Sequence, residues 1–118
     1  MWEIKVEKHF AAAHHLLNYE GDCENQHGHN WKVEVYVRGT KLDKSNILID
    51  FKVLKKYLDE VLELLDHTDL NNLDFFNDES PSSEMISRFI YKKMKEVEPM
   101  IHKVSVWETP TSCATYWE

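Results

Sequence analysis

Glycine and proline are scarce, three of each in 118 residues, which excludes collagen-like repeats, loop-dominated scaffolds and low-complexity disorder. Cysteine is nearly absent. Cys23 and Cys113 are the only two, too few for a disulfide framework, and both thiols are expected to stay free in a reducing compartment. No apolar run approaches the roughly 18 residues of a membrane span. The opening stretch Met1 to Lys8 mixes charges with apolar residues, unlike a signal peptide, so a cytoplasmic chain without a membrane partner is expected. Positive charge is also in short supply. Fourteen Lys and Arg stand against 21 Asp and Glu, a net −7, and no basic run exceeds two residues. The electrostatic footprint of a nucleic-acid binder is therefore missing.

What is present suffices for a folded domain. Hydrophobic residues make up 42% and charged residues 30%, and a chain of this length buries enough surface to fold without staples. We read residues 1–118 as a single domain. Alternation opens the chain: Trp2, Ile4, Val6, Phe10 and Ala12 share one parity, and Glu3, Lys5, Glu7 and His9 take the other, as in a half-buried strand. A polar loop, Leu16 to Gln26, follows. Alternation then resumes through Trp31, Val33, Val35 and Val37 until Gly39. From Phe51 to about Leu65 the period becomes helical, with Phe51, Leu54, Leu58, Val61, Leu62 and Leu65 on one stripe and Asp50 as N-cap. A polar link, Asn71 to Ser83, leads to a second helix from Ser83 to Val97 that presents Met85, Ile86, Phe89, Ile90 and Met94 and is closed by Pro99. Short strands around Lys103 to Thr109 and Cys113 to Trp117 finish the chain. The order β-β-α-α-β-β predicts an α+β fold, an antiparallel sheet with two helices on one face.

Histidine is over-represented at one end: five of the seven lie between His9 and His29. His27 and His29 flank Gly28, and residues two apart on a strand project from the same face. They share parity with Trp31 and Val33, while His14 shares that of Phe10 and Ala12, so all three imidazoles are expected on the buried side. Gly28 is read as room for another backbone to approach. Three convergent imidazoles suit zinc, with a fourth position open to water or substrate. Two alternatives stand beside this: hydrogen-bonded core histidines, or a structural site closed by Cys23. His9, His15 and His102 are read as non-ligands.

Cys23 lies in the polar loop four residues before His27, and a nearby histidine or metal would lower its pKa into a useful range. Cys113 is read as the more structural thiol. Asp66-His67 follows the first helix; the carboxylate would fix the imidazole's tautomer, although such a dipeptide also serves as a helix-end capping and solvation feature. Glu108 continues the parity of Val104 and Val106 inward. A carboxylate there needs an internal Lys or Arg, or a ligand that offers a ring N–H and an exocyclic amine, as guanine and pterin rings do.

Phe10-x-Ala-Ala-His14, Cys23-x-x-x-His27-Gly28-His29, Ile49-Asp50-Phe51, Leu65-Asp66-His67, Pro81-Ser82-Ser83-Glu84 and Val106-Trp107-Glu108-Thr109 occur in that order over essentially the whole chain. Together they resemble the 6-pyruvoyl-tetrahydropterin synthase / 6-carboxytetrahydropterin synthase family. The resemblance implies the tunnelling (T-fold) architecture and an assembly of trimers stacked into hexamers with pockets between subunits. It implies Zn(2+) on His14, His27 and His29, Cys23 as catalytic base with His67 and Asp66, Glu108 as the anchor of the pterin ring, and Ser82 and Ser83 near the substrate. The implied substrate is 7,8-dihydroneopterin triphosphate. The three-residue gap between Cys23 and His27 resembles the 6-carboxytetrahydropterin synthases of queuosine biosynthesis, whereas the 6-pyruvoyl enzymes typically have a longer gap. A non-catalytic zinc- or pterin-binding protein of the same fold is the reading from another class. The chain departs from the family in Ser82, where Thr is frequent, and in His15, where Arg is frequent. The loop Leu16 to Gln26 holds no Lys or Arg, which leaves triphosphate anchoring to Lys8, Lys32 or another subunit.

Overall fold

The computed structural model describes residues 1–18 and 25–118. Cys23, which carries the expected role of catalytic base, lies outside the described residues. The elements are β1 (Trp2–His14), β2 (His27–Gly39), α1 (Phe51–Leu62), β3 (Thr68–Asp69), α2 (Ser83–Val97), β4 (Ile101–Thr109) and β5 (Ser112–Tyr116), with two short 3-10 turns at Leu70–Asn72 and Asp74–Phe76. The sheet order is β3-β1-β2-β4-β5. It is not wholly antiparallel as expected: β3 adds a two-residue parallel rung, Ala12 to Thr68 and Ala13 to Asp69, on the outer edge of β1.

Alternation in β1 and β2 puts Val6, Phe10, Trp31, Val33, Val35 and Val37 beneath the helices, where each is at most 3% exposed. Leu54 and Leu58 from α1, Ile86, Ile90 and Met94 from α2, and Val104 and Val106 from β4 complete this core. Asp50 caps α1 by accepting from the backbone N–H of Lys52, and Ser82 caps α2 by accepting from that of Met85. The helix starts at Phe51 as the spacing predicts, but it ends one turn earlier than the stripe implies. α1 stops at Leu62, Leu65 is buried in the turn beyond it, and Phe51 is exposed. The stretch read as a polar link, Asn71 to Ser83, contributes Phe76 to the core, and Leu70 just before it is buried as well. Cys113 is exposed and free, not structural, because it lies on the edge strand β5.

The opposite face of the sheet has no helical cover and is polar. Among the described residues its one buried charge is Glu34, which takes hydrogen bonds from Lys5 Nζ at 2.8 Å and from the Trp107 indole N–H. Burial opposes ionisation of Glu34, but these two donors outweigh it and hold its pKa below the usual carboxylate value.

Candidate metal centre

The β1–β2 register builds the site. His14 stands directly opposite His27, Ala12 opposite His29, and Phe10 opposite Trp31. A slip of one residue would send one strand's imidazoles to the other face, so the hydrophobic pattern that fixes the register also fixes the histidines. The small Ala12 leaves space across from His29. Trp31 is fully buried beneath the group, with its ring centre 4.8 Å from that of His14 and 5.3 Å from that of His29. Its indole N–H donates to the Ala12 carbonyl at 3.2 Å, which fixes the ring.

Hydrogen bonds then aim the nitrogens. His14 Nδ1 lies 2.9 Å from the Pro81 carbonyl, and His27 Nδ1 lies 2.8 Å from that of Asn25. A carbonyl only accepts, so both Nδ1 atoms carry the proton and both Nε2 atoms of the neutral rings present lone pairs. Those two Nε2 atoms are 3.1 Å apart. Two imidazole nitrogens that share one tetrahedral zinc at about 2.0–2.1 Å stand roughly 3.3 Å apart. His29 Nε2 is a buried polar atom with no hydrogen-bond partner. Burial, reinforced by the neighbouring imidazoles and opposed by Glu108, lowers the His29 pKa and favours its neutral, ligating form. Facing lone pairs and an orphaned nitrogen fit a cation, and they argue against a set of satisfied core histidines.

Glu108 joins this group from β4. Its Oε1 is 2.9 Å from His29 Nε2 and 3.6 Å from both His14 Nε2 and His27 Nε2, and its Oε2 takes a long hydrogen bond from Ser83 Oγ at 3.4 Å. The approach to His29 lacks hydrogen-bond alignment despite its length. The ladder explains the aim of the carboxylate. Trp107 pairs with Cys113 and Thr109 with Ser112, so Glu108 is the extra residue of a bulge, a device that turns a side chain away from regular pairing. One potential ligand atom from each of His14, His27, His29 and Glu108 lies within 4.8 Å of the others. His9, His15 and His102 are outside the group, as read. A Cβ at Gly28 would meet nothing within 4 Å among the described residues of this chain, so no described backbone of its own subunit approaches there.

Asp66 and His67 sit on the outer edge of β1, not in the histidine group. Asp66 Oδ1 accepts the Ala11 N–H at 2.9 Å, and Oδ2 lies 3.0 Å from His67 Nδ1. The Ala11 hydrogen bond is the main cause of a lowered Asp66 pKa, with His67 adding to it. His67 has φ 58° and a side chain 81% exposed. The pair is thus a positioned carboxylate–imidazole unit that also ties the chain after α1 to the sheet, rather than a simple helix cap. Ser82 is occupied as the α2 cap, and Ser83 touches Glu108.

Sequence reasoning missed several positioning groups. The Asn71 side chain donates to the His15 carbonyl at 3.0 Å and accepts its N–H at 2.9 Å, gripping β1 immediately after His14. Nothing in the sequence marks Asn71. Pro81 carried a signal, since it opens the Pro81-Ser82-Ser83-Glu84 motif, but the role of its carbonyl is visible only in space.

Fold and site together define an α+β protein with three sheet-borne histidines and one carboxylate converging at one end of a long hairpin. The family model for 6-pyruvoyl tetrahydropterin synthase matches residues 3–118. The chain is 42% identical to 6-carboxy-5,6,7,8-tetrahydropterin synthase of Synechocystis sp., covering 99% of this chain and 94% of that protein. It is 34% identical to the protein of the same name from Bacillus subtilis, covering 98% and 84%. A solved structure of Caenorhabditis elegans 6-pyruvoyl tetrahydropterin synthase superposes with a TM-score of 0.91 at 29% identity, covering 99% of this chain and 95% of that one. The chain belongs to the 6-pyruvoyl tetrahydropterin synthase family.

Proposed function

We propose that the protein is a zinc-dependent 6-carboxy-5,6,7,8-tetrahydropterin synthase, a lyase that converts 7,8-dihydroneopterin triphosphate to 6-carboxytetrahydropterin, acetaldehyde and triphosphate. The observation that carries this reading is the trio of Nε2 atoms on His14, His27 and His29, two of them fixed as lone pairs by the Pro81 and Asn25 carbonyls. The carboxy product is favoured over the pyruvoyl one by the three-residue gap between Cys23 and His27, and by the relatives at 42% and 34% identity that bear the carboxy name.

Zinc held by the three histidines would polarise the oxygens of the substrate side chain and acidify the adjoining C–H. Glu108 is suited to accept the ring N–H and exocyclic amine of a pterin, and Ser83 Oγ steadies its second oxygen. Asp66 holds the proton of His67 on Nδ1 and leaves Nε2 free to take or return a proton, while Cys23 is assigned the first abstraction. Because the His67 imidazole is exposed and outside the histidine group, it is assigned to a pocket completed by a neighbouring copy. Among the described residues, no strand pairs with the outer edge of β1 before Ala11 or with that of β5, as suits a homo-oligomer of trimers stacked into hexamers. A cytoplasmic role in queuosine biosynthesis follows from the same reading.

The test is incubation of the zinc-loaded protein with 7,8-dihydroneopterin triphosphate and assay of both pterin products and acetaldehyde. Carboxy-pterin with acetaldehyde supports the proposal. Pyruvoyl-pterin without acetaldehyde would transfer the chain to the reaction named for its C. elegans structural relative. No turnover by metal-loaded, correctly assembled protein would refute the enzymatic reading.

A further inference from the structure

Glu108 occupies a place that a simple ring anchor does not need. An anchor would be expected to wait in the pocket with both oxygens toward the ring. Here Oε1 is directed among three imidazole nitrogens, at 2.9, 3.6 and 3.6 Å, and only Oε2 is held elsewhere, by Ser83. The bulge at Trp107–Thr109 presents the Glu108 side chain to the histidine group, and its rotatable bonds let the carboxylate turn about that backbone position. The side chain is also 28% exposed, so it is not enclosed by its contacts.

We propose that Glu108 is an exchanging ligand: it fills the metal's fourth position in the free enzyme and leaves it when a pterin ring binds. This rests on the pterin reading given above. A side-by-side grip on the ring N–H and the exocyclic amine needs both oxygens turned toward the ring, an orientation different from the one that directs Oε1 among the three Nε2 atoms. Seating the ring therefore withdraws Oε1 from the metal. The exchange trades one cationic partner for two N–H donors. It makes the fourth position available only to a molecule whose ring has already been recognised. A sugar phosphate or a free polyol lacks the donor pair and meets a closed site. Ser83 is the pivot, because its hydroxyl holds Oε2 near the site in both positions.

Thermodynamic linkage supplies the test. If ring and metal compete for Glu108, each weakens the other by the same factor, in the range of about 5- to 150-fold typical of coupled sites. Unsubstituted pterin, which has no side chain to reach the metal, is titrated into the metal-free and the zinc-loaded wild-type protein. The expected result is binding at least fivefold tighter to the metal-free form. In cobalt-substituted protein the visible spectrum should change as pterin is added, toward that of cobalt-loaded Glu108→Gln without pterin. Metal affinity of Glu108→Gln should fall at least fivefold below wild type, and Glu108→Ala serves as a second variant should the glutamine misfold. Equal pterin affinity with and without metal, or a cobalt spectrum unmoved by bound pterin, overturns the exchange and leaves the functional proposal standing. Failure of pterin to bind either form overturns both.

Discussion

His67 offers a direct separation of function from stability. It is the one residue other than Asn or Asp among the described non-glycine residues with positive φ, and its imidazole is 81% exposed. An L residue in the left-handed region costs about 1–2 kcal/mol relative to glycine, with Asn, Asp and His at the tolerant end. Among the described residues, nothing in the packing repays a histidine there. Its side chain has one ion pair, to Asp66, and exposed pairs of that kind contribute about 0–1 kcal/mol. His67→Gly therefore trades about 1 kcal/mol of relieved strain against a similar loss from the ion pair and the added freedom of the unfolded chain. The net should lie within about 1 kcal/mol of zero. For 118 residues the unfolding entropy near Tm is about 0.25 kcal/mol/K, so Tm should move by no more than about 4 °C. His67→Val adds β-branching in the same backbone region and should lower Tm by about 4–8 °C. Both variants should lose turnover by about 10²–10⁴-fold, as expected when a proton-transferring group is removed. The assay is calorimetry beside product formation on the same preparations. A His67→Gly protein that unfolds more than 8 °C below wild type, or that keeps more than a tenth of its turnover, would show that the imidazole serves the fold and would refute this reasoning.

Removal of zinc by a chelator should lower Tm, since at a metal concentration of 100 times Kd the bound state gains about 2.7 kcal/mol, or about 10 °C here; His29→Ala should abolish that difference. Glu34→Gln should cost about 1–2 kcal/mol near neutral pH, read from urea unfolding, because Trp107 keeps a partner but the charge-assisted bonds are weakened. The sign of its pH dependence follows from its lowered pKa. The stabilisation is fully present above the unfolded carboxylate pKa and is lost as pH falls through the folded value, so the acid limb of the stability curve should be shallower in the variant. Ser82→Ala removes the α2 cap and should cost about 1 kcal/mol, seen as a Tm lower by about 4 °C.

The histidine trio was legible because strand parity is a two-residue rule, and Phe10, Trp31 and Val33 declare which face is inward. Parity cannot show which tautomer a ring adopts. That depends on the carbonyls of Pro81, 67 residues after His14, and of Asn25, and no spacing rule connects them. Parity also pointed Glu108 inward but missed its destination, since the bulge that aims it arises from the pairing of Thr109 with Ser112, which leaves no periodic trace. β3 was unreadable for a similar reason. Two residues are too few for alternation, and the pairing of Thr68 and Asp69 with β1 is a tertiary event. Phe51 shows the opposite error: its periodicity is right, yet at the first position of α1 it stays exposed.

The two halves of the proposed chemistry are built to different physical specifications, and this bears on how the site is completed. The histidine group is rigid: it lies on paired strands over a fully buried Trp31, and two of its rings are pinned through Nδ1. The Asp66–His67 unit stands on a sheet edge, more exposed, held among the described residues by the Ala11 contacts, the Asp66 N–H to the Leu62 carbonyl at 2.8 Å and a two-residue strand. A general acid or base in bulk water gains nothing from the lowered dielectric that makes such groups effective. Burial of His67 in an assembled pocket would supply that, and it would also cover the unpaired edge of β1 beside it. Dilution below the assembly threshold should therefore abolish turnover while leaving metal binding intact, because every one of the four convergent ligand atoms comes from a single chain. Activity that survived in a demonstrated monomer would place the imidazole's task within its own subunit and would break the link between the exposed edge and the chemistry.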